Sequence, residues 1–479
     1  MTLRSSALIA LQHRNYRLLF IGQLVSLTGS MMQATAILWH VSLLAPEGGK
    51  ALALGIVGLV RVVPIVVFSL IGGVMADAVD RRRLMLVTQT FMTGLACVLT
   101  VLTLRGLDTM WPIYLLTGLS AAANSFDAPA RQALMPTLVP VEHLPNAVSL
   151  YSMVFQIASV AGPAFAGAVI ALAGIQWVYA INAASFLAVI AGLLMMRGVA
   201  GKPAPGTAAN ISLGSAIEGL RFVFRAPLIR STMLLDFFAT FFSSATALLP
   251  IFAQDILHVG AHGYGLLFAA PAAGALAMGV LMVRFEPRIE RRGATLLWAV
   301  VGYGLATVVF GISRSFWLTF LCLALTGAAD MISLVLRNII RQLGTPDHLR
   351  GRMTSVNMVF FMGGPQLGEL EAGLVAQWIG APLSVVTGGV GCLIATAWVA
   401  KRTPLLRRYR REDTPAAMAS PVEPPAVIAA HAAGDATRAG EVATAGGAGT
   451  SAAAARAAKA AAASSAAKSP TATAPADPD

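Results

Sequence analysis

Apolar residues run through this chain in stretches of about 18 to 28, each closed by a short cluster of polar or charged positions. As a helix rising 1.5 Å per residue, such a stretch crosses a hydrocarbon core of ~30 Å. Twelve stretches fit: 16–43, 51–75, 84–104, 110–130, 145–172 and 176–196, then 229–253, 263–284, 294–312, 315–336, 350–375 and 379–400. The predicted fold class is therefore an all-α membrane protein with twelve transmembrane helices.

The polar positions inside the stretches repeat. Ser120, Asn124, Asp127 and Arg131 form one helical stripe, and Thr326, Asp330, Ser333 and Arg337 reproduce its spacing 206 positions later. The loops that follow read Glu142-His143-Leu144 and Asp347-His348-Leu349, and then Met153-Val154-Phe155 and Met358-Val359-Phe360, all at an offset of 205. Two similarly built halves are expected: a six-helix bundle at 1–196 and a second at 229–411. The segment 197–228 between them opens with Gly201, Pro203, Pro205 and Gly206. Further on, Ile217, Leu220 and Phe224 against Glu218, Arg221 and Arg225 predict an amphipathic helix at the membrane interface. From 412 to 479 Ala, Pro, Gly, Thr and Ser dominate, so a disordered tail is expected there.

Only 12% of the 479 residues are charged and 57% are hydrophobic, which excludes a soluble enzyme or a secreted disulfide scaffold. The formal charge of +12 reports topology and not nucleic acid. With both termini cytoplasmic, 30 basic residues fall on the inner side, against Lys50, Arg105 and Arg314 outside and Arg61 within a span. Cys97, Cys322 and Cys392 lie in apolar runs and read as small hydrophobes. His258 and His262 flank Gly260 in a loop, which leaves no expected metal site. No phosphate loop, HExxH or GxSxG pattern occurs, so neither ATP hydrolysis nor intramembrane hydrolysis is encoded. The protein is expected not to be an enzyme.

After the second stretch the chain reads Gly72-Gly73-Val74-Met75-Ala76-Asp77-Ala78-Val79-Asp80-Arg81-Arg82-Arg83. The pattern Gly73-x-x-x-Asp77-x-x-x-Arg81-Arg82 resembles the signature loop of the major facilitator superfamily, between spans 2 and 3 of twelve. The Asp-Arg-Arg-Arg version resembles the branch containing enterobactin exporters and related secretion carriers. Phe126-Asp127-Ala128-Pro129-Ala130-Arg131-Gln132, Leu249-Pro250-Ile251-Phe252, and Gly162-Pro163-Ala164-Phe165-Ala166-Gly167 support it. The last is similar to the Gly-Pro element of proton-driven exporters. Asp80 stands where the superfamily usually has Gly, and the mid-span-4 arginine of many drug antiporters is absent, Thr117 and Gly118 occupying that region.

The resemblance implies two six-helix bundles of the major facilitator fold, with Asp77 capping a helix end and Arg81 paired with Asp127. Gly73, Asp77, Arg81, Arg82, Asp127, Arg131, Gly162 and Pro163 are the candidate gating residues. Ionisable side chains within spans cost roughly 2.5–3.5 kcal/mol on insertion scales and are functional candidates by default. Arg61, Asp236, Asp330, Glu369 and Glu371 are such residues. Spans 1, 4, 7 and 10 line the cavity in the superfamily. There Gln33, on a stripe with Ser26, Ser30 and His40, and Asn124 join them as candidate substrate or proton sites. Asp236 heads a stripe with Thr240 and Ser243. Arg61 and Glu369 lie at matching depth and are expected to pair, Glu371 being the alternative partner; otherwise Arg61 faces an anionic or catecholate substrate group.

The functional expectation is a proton-coupled exporter of a small organic compound, siderophore or drug-like, in the bacterial inner membrane. It works by alternating access, as a monomer without cofactor, driven by the proton gradient. Its partners are the substrate, protons and the lipid bilayer. A metabolite importer, or a non-transporting scaffold or sensor, is the alternative on the same fold.

Overall fold

The computed structural model describes residues 8–198, 220–243, 245–346 and 349–413, and leaves the side chains of a few further positions, Asp77 among them, undescribed. Twelve helices of sixteen or more residues fill the described part. The first six are α1 (Arg14–Leu44), α2 (Lys50–Ala78), α3 (Arg81–Leu104), α4 (Met110–Leu134), α5 (Leu144–Ala173) and α6 (Ile175–Met195). The second six are α7 (Pro227–Phe242), α8 (Gly260–Phe285), α9 (Arg292–Ile312), α10 (Phe316–Leu343), α11 (Arg350–Ile379) and α12 (Ala381–Arg402). Nine segments among the described residues are long and apolar enough to cross a membrane. Helices α1, α4 and α11 fall outside that set, and these carry the polar positions Gln23 and Gln33, Asn124 and Asp127, and Glu369 and Glu371.

The helices alternate in direction, so every odd-to-even turn lies at one end and every even-to-odd turn at the other. The second end carries Arg81–Arg83 and Arg288–Arg292 and is called the basic end; the first is the far end. Exposed tryptophans mark both rims: Trp111, Trp177, Trp317 and Trp378 at the far end, Trp298 and Trp398 towards the basic end. An amphipathic indole is at home where lipid meets water, and the large apolar side chains exposed between the rims suit hydrocarbon. The protein is a multi-pass membrane protein.

Packing repeats between the halves. In the first, α1 packs on α5 and α6, α2 on α4, and α3 on α4 and α6; in the second, α7 packs on α11 and α12, α8 on α10, and α9 on α10 and α12. Two seams join the halves, α2 against α11 and α5 against α8. Both are closed by glycines. A methyl group on Gly373 would lie 2.7 Å from the Cα of Gly55, and one on Gly167 would lie 2.8 Å from the Cα of Gly265. Backbones approach this closely only without side chains, the usual device of helix pairs in membranes.

The core is distributed unequally along the seams. At the far end Trp39 and Ala51 of the first half share one cluster with Leu248, Phe252, Tyr264 and Phe310 of the second. Among the described side chains at the basic end, each half has its own: Tyr16, Leu84, Leu134 and Leu193 in the first, Leu296, Leu336, Val399 and Leu406 in the second. Among the described residues, the polar contacts across the seam also sit at the far end. Lys50 pairs with Asp255 at 3.2 Å, Gln254 Nε2 donates to Ser42 Oγ at 2.7 Å, Tyr264 donates to the Thr35 carbonyl at 2.9 Å, and Gln377 donates to the Gly48 carbonyl.

Two segments differ from the expected spans. The stretch 229–253 is not one helix: α7 ends at Phe242, and the chain continues as the turn Ala245–Leu248, the turn Leu249–Ile251 and the π-helical turn Phe252–Ile256. Pro250 supplies no N–H and its ring clashes with the preceding turn, while Gly388 of α12 packs on the Phe242 carbonyl. Beyond α12, a short helix α13 (Pro404–Arg408) folds back on the α8–α9 turn, with Leu406 and Tyr409 buried. The Gly293 amide donates to the Tyr409 carbonyl at 3.1 Å and the Arg411 amide to the Glu290 carbonyl at 2.9 Å. Of the expected linker helix, residues 220–225 are helical and the remainder lies outside the described residues, as does the tail from 414.

Candidate functional site

The signature loop is built from helix ends. Asp80 caps α3, its Oδ1 accepting from the Arg83 amide at 3.1 Å, which explains an acid at this position. Arg81 Nε donates to the Ala76 carbonyl at 3.3 Å and its Nη1 to the Ala133 carbonyl at 3.1 Å. Arg82 Nη2 donates to the Leu194 carbonyl at 3.2 Å. These oxygens belong to the last turns of α2, α4 and α6, where carbonyls lack helical partners and the helix dipole favours a cation. The expected Arg81–Asp127 pair is absent, because Asp127 is engaged elsewhere. The side chain of Asp77 lies outside the described residues. Gly73 has open space around it; Gly72, its neighbour, packs on the Ser125 carbonyl of α4.

Each half holds a buried arginine on the repeated stripe. In the first, Asp127 Oδ1 accepts from Thr88 at 2.9 Å and from Gln89 at 3.0 Å, and Arg131 lies 3.6 Å from Oδ2. Arg131 Nη1 donates to Gln23 Oε1 of α1 at 2.7 Å. In the second, Arg337 is 1% exposed, with Nη1 2.6 Å from Asp236 Oδ1 of α7 and Nη2 3.4 Å from Asp330 Oδ1. The Arg337 Nη1 hydrogens do not point along the contact with Asp236, so that contact is ionic rather than a directed hydrogen bond. Arg341 lies 4.0 Å from Asp236 Oδ2 and donates to Asn338 and Asn357. Asp236 was expected to face a cavity, but it is 2% exposed. Asp330 is the more exposed acid of this cluster, its side chain being 44% exposed.

Arg61 and Glu369 meet at the α2–α11 seam. Glu369 is 9% exposed, its Oε2 has no hydrogen-bond partner, and its carboxylate lies over Gly58, one turn from Arg61. The two are within electrostatic reach, yet they form no ion pair: Arg61 Nη2 donates to the Ala34 carbonyl of α1 at 3.2 Å. Glycine 58 brings the two helices so close that the acid lies flat on α2 and the arginine turns to α1. Glu371 is half-buried and Asn124 exposed. Gln33 is buried, and its Oε1 accepts from Asn182 of α6 at 2.7 Å inside the first half. Gly162 packs on α1, where a methyl would meet Met31, and the Pro163 carbonyl faces Gly265 of α8.

The profile of the transmembrane secretion effector family, a branch of the major facilitator superfamily, matches residues 5–443. The chain belongs to that family. It is 27% identical over 410 residues to the enterobactin exporter EntS of Citrobacter koseri, covering 83% of this chain and 94% of the relative. It is 26% identical to EntS of Shigella boydii over the same length and shares of the two chains. Among solved structures, a bacterial homologue of the lysosomal transporter Spinster, inward-facing and unoccupied, superposes with a TM-score of 0.64 at 17% identity, over 82% of this chain and 98% of that one. A bacterial homologue of the iron transporter ferroportin, also inward-facing, gives 0.61 at 18%, over 81% and 98%. The fold is that of major facilitator transporters.

In this secretion effector several site partners had no sequence signal strong enough to find them. Gln23, Thr88, Gln89, Asn182 and Arg341 are uncharged or lie at a helix end, and each acquires a role only through a neighbour far along the chain. Gln23 stands to Arg131 as Asp236 stands to Arg337, each on the first helix of its half, but the offset of 205 to 206 carries Gln23 to Leu228 or Ile229 and so does not reveal it.

Proposed function

We propose that this transporter exports a small organic anion or polyphenol of the siderophore or drug-like class, in exchange for protons, by rocking its two halves. The observation that carries the reading is the unequal core: among the described side chains, the halves share a cluster at the far end and have separate clusters at the basic end. That is the packing of a protein sealed on one side of the membrane and parted on the other. The basic end is taken as cytoplasmic by its arginines, which makes this the inward-facing arrangement, with both termini inside and the protein in the bacterial inner membrane. The export direction and substrate class draw on the similarity to the enterobactin exporters and on Gly162-Pro163.

In this reading substrate enters between the halves from the basic end. Arg61, held among the described residues by one carbonyl, is the cation available to a carboxylate or catecholate, and Glu369, with an oxygen unsatisfied, is the acid available to a proton. Asp330 is the accessible entrance to the buried Arg337–Asp236 pair. The test is expression in an efflux-deficient host, with release of a catecholate siderophore and retention of drugs measured with and without an uncoupler. Export that collapses with the uncoupler is expected; export indifferent to it removes the proton from the mechanism.

A further inference from the structure

The second half carries, at its basic end, a cluster of cations that none of these sites uses. In 284–292 and 401–413 ten basic residues stand against four acids. The two stretches meet in space: the Gly293 amide donates to the Tyr409 carbonyl, the Arg411 amide donates to the Glu290 carbonyl, and the Leu406 carbonyl covers Gly293. Of the acids, Glu286 pairs with Arg292 at 2.7 Å, Asp413 accepts from the Arg410 amide at 2.8 Å, and Glu290 and Glu412 are exposed. Arg291, Lys401, Arg402, Arg407 and Arg408 are exposed too, and among the described residues their side chains make no hydrogen bond or ion pair. In the first half, by contrast, Arg81 and Arg82 reach carbonyls at helix ends. A bias of cations to one side of the membrane accounts for arginines at both turns, but not for five left uncompensated in one place.

The helices beneath the cluster show which way it faces. On α12, Ile394, Trp398 and Arg402 recur at steps of four; on α9 and its cap, Leu305, Trp298 and Arg291 recur at steps of seven; all six are exposed. Each helix therefore carries one outward stripe, running from an aliphatic side chain through an indole to a cation. The indoles mark the boundary between lipid and water. Arg402 and Arg291 lie about 6 Å and about 10 Å beyond them by helix rise, at the depth of the lipid headgroups. Helices α9 and α12 pack on each other, so the stripes adjoin, and α13 packs on the basic end of α9 with Leu405 exposed.

We propose that α9, α12 and α13 form a binding site for an anionic phospholipid of the leaflet at the basic end, its phosphodiester among Arg291, Lys401, Arg402, Arg407 and Arg408 and its acyl chains along Trp298 and Trp398. Guanidinium groups hold phosphate oxygens through paired N–H donors. Like charges crowded together repel, and a phosphate among them relieves the repulsion. A zwitterionic lipid brings a cation of its own into the cluster and is disfavoured for that reason. The indoles, with Leu305 and Ile394 deeper in, give the chains an apolar track. Helix α13 is held by Leu406, Tyr409 and main-chain bonds; a lipid that ties it to α9 and α12 adds to that contact, and binding to the folded state alone raises the melting temperature. The inference needs neither substrate nor proton coupling, so it stands apart from the exporter reading.

The test uses the full-length protein in a neutral detergent, titrated with phosphatidylglycerol or with phosphatidylcholine of the same chains. Bound lipid is counted by native mass spectrometry and the melting temperature is followed alongside. Phosphatidylglycerol is expected to bind the more tightly and to raise the melting temperature. Arg402→Gln, Arg407→Gln and Arg408→Gln together should weaken its binding about a hundredfold, at about fivefold for each arginine beside an anionic headgroup, and leave the melting temperature in phosphatidylcholine unchanged. Arg291→Gln with Lys401→Gln should weaken it likewise, and serves alone if the triple variant does not fold. Arg14→Gln, Arg17→Gln and Arg225→Gln remove the same charge from exposed positions elsewhere and should leave binding intact. Equal affinity of the parent for the two lipids, a preference that survives in a folded cluster variant or is lost in the control, or the same stabilisation by glycerol phosphate alone would overturn the proposal.

Discussion

Asp236 and Arg337 illustrate what a buried charge pair means inside one half of a transporter. Removing one partner of such a pair costs about 3–5 kcal/mol, because the other is left uncompensated, whereas replacing both by apolar groups is often neutral. Asp236→Asn is therefore expected to lower the melting temperature in detergent markedly, and the Asp236→Leu, Arg337→Met double variant to recover most of it. If Asp330 works through Arg337, the double variant stays transport-dead although it is stable; transport restored together with stability would reduce the cluster to scaffolding. At this scale the sequence reached the charged members of the stripe, since an acid within a span is conspicuous. It missed what Arg81 touches for a physical reason. The Ala76 and Ala133 oxygens it donates to are main-chain groups at helix ends, which every residue carries and no letter of the sequence distinguishes. The Arg61–Glu369 depth match was legible from rise per residue, but the rotation that turns Arg61 towards Ala34 was not.

Helices were legible because their signals are long. Twelve apolar stretches and an offset of 205 to 206 positions implied two similar halves, and the helix pairings repeat accordingly. The break after Phe242 was hidden, since Leu249, Ile251 and Phe252 are as apolar as an unbroken span and only Pro250 marks it. The seams are the other element-scale feature that letters alone conceal: glycines abound, and which of them meet depends on rotation. Gly373→Val is expected to force α2 and α11 apart, at about 1–3 kcal/mol for overpacking, and to lower both melting temperature and transport. Gly302→Val is the comparison, because a side chain there meets nothing within 4 Å; equal damage from the two would mean that the seam is not the cause.

At the scale of the whole molecule, the described residues end in a brace. Leu406 and Tyr409 are buried against α9 and the α8–α9 turn, and Arg411 is tied to Glu290 and Pro287. A chain stopped after Asp413 is expected to match the full-length protein within about 0.5 kcal/mol, the range for changes away from such contacts. One stopped after Thr403 loses a buried leucine, worth roughly 1.5–3 kcal/mol, together with the tie to Gly293, and should melt earlier and yield less folded protein on size exclusion. The composition shift near residue 412 was plain in the sequence, but the fold-back just before it was not, because five residues are too few for a periodic signal. The two glycine seams also set a mechanical scale. Gly55 lies five residues from the far end of α2 and 23 from its basic end, and Gly167 lies six and 23 residues from the corresponding ends of α5. At 1.5 Å per residue these are lever arms of about 8 Å and about 35 Å. If the fulcrum lies at the glycines, an ångström of yielding at the short arm becomes about four at the long one, so a gate far too small for substrate on one face of the membrane works a doorway on the other.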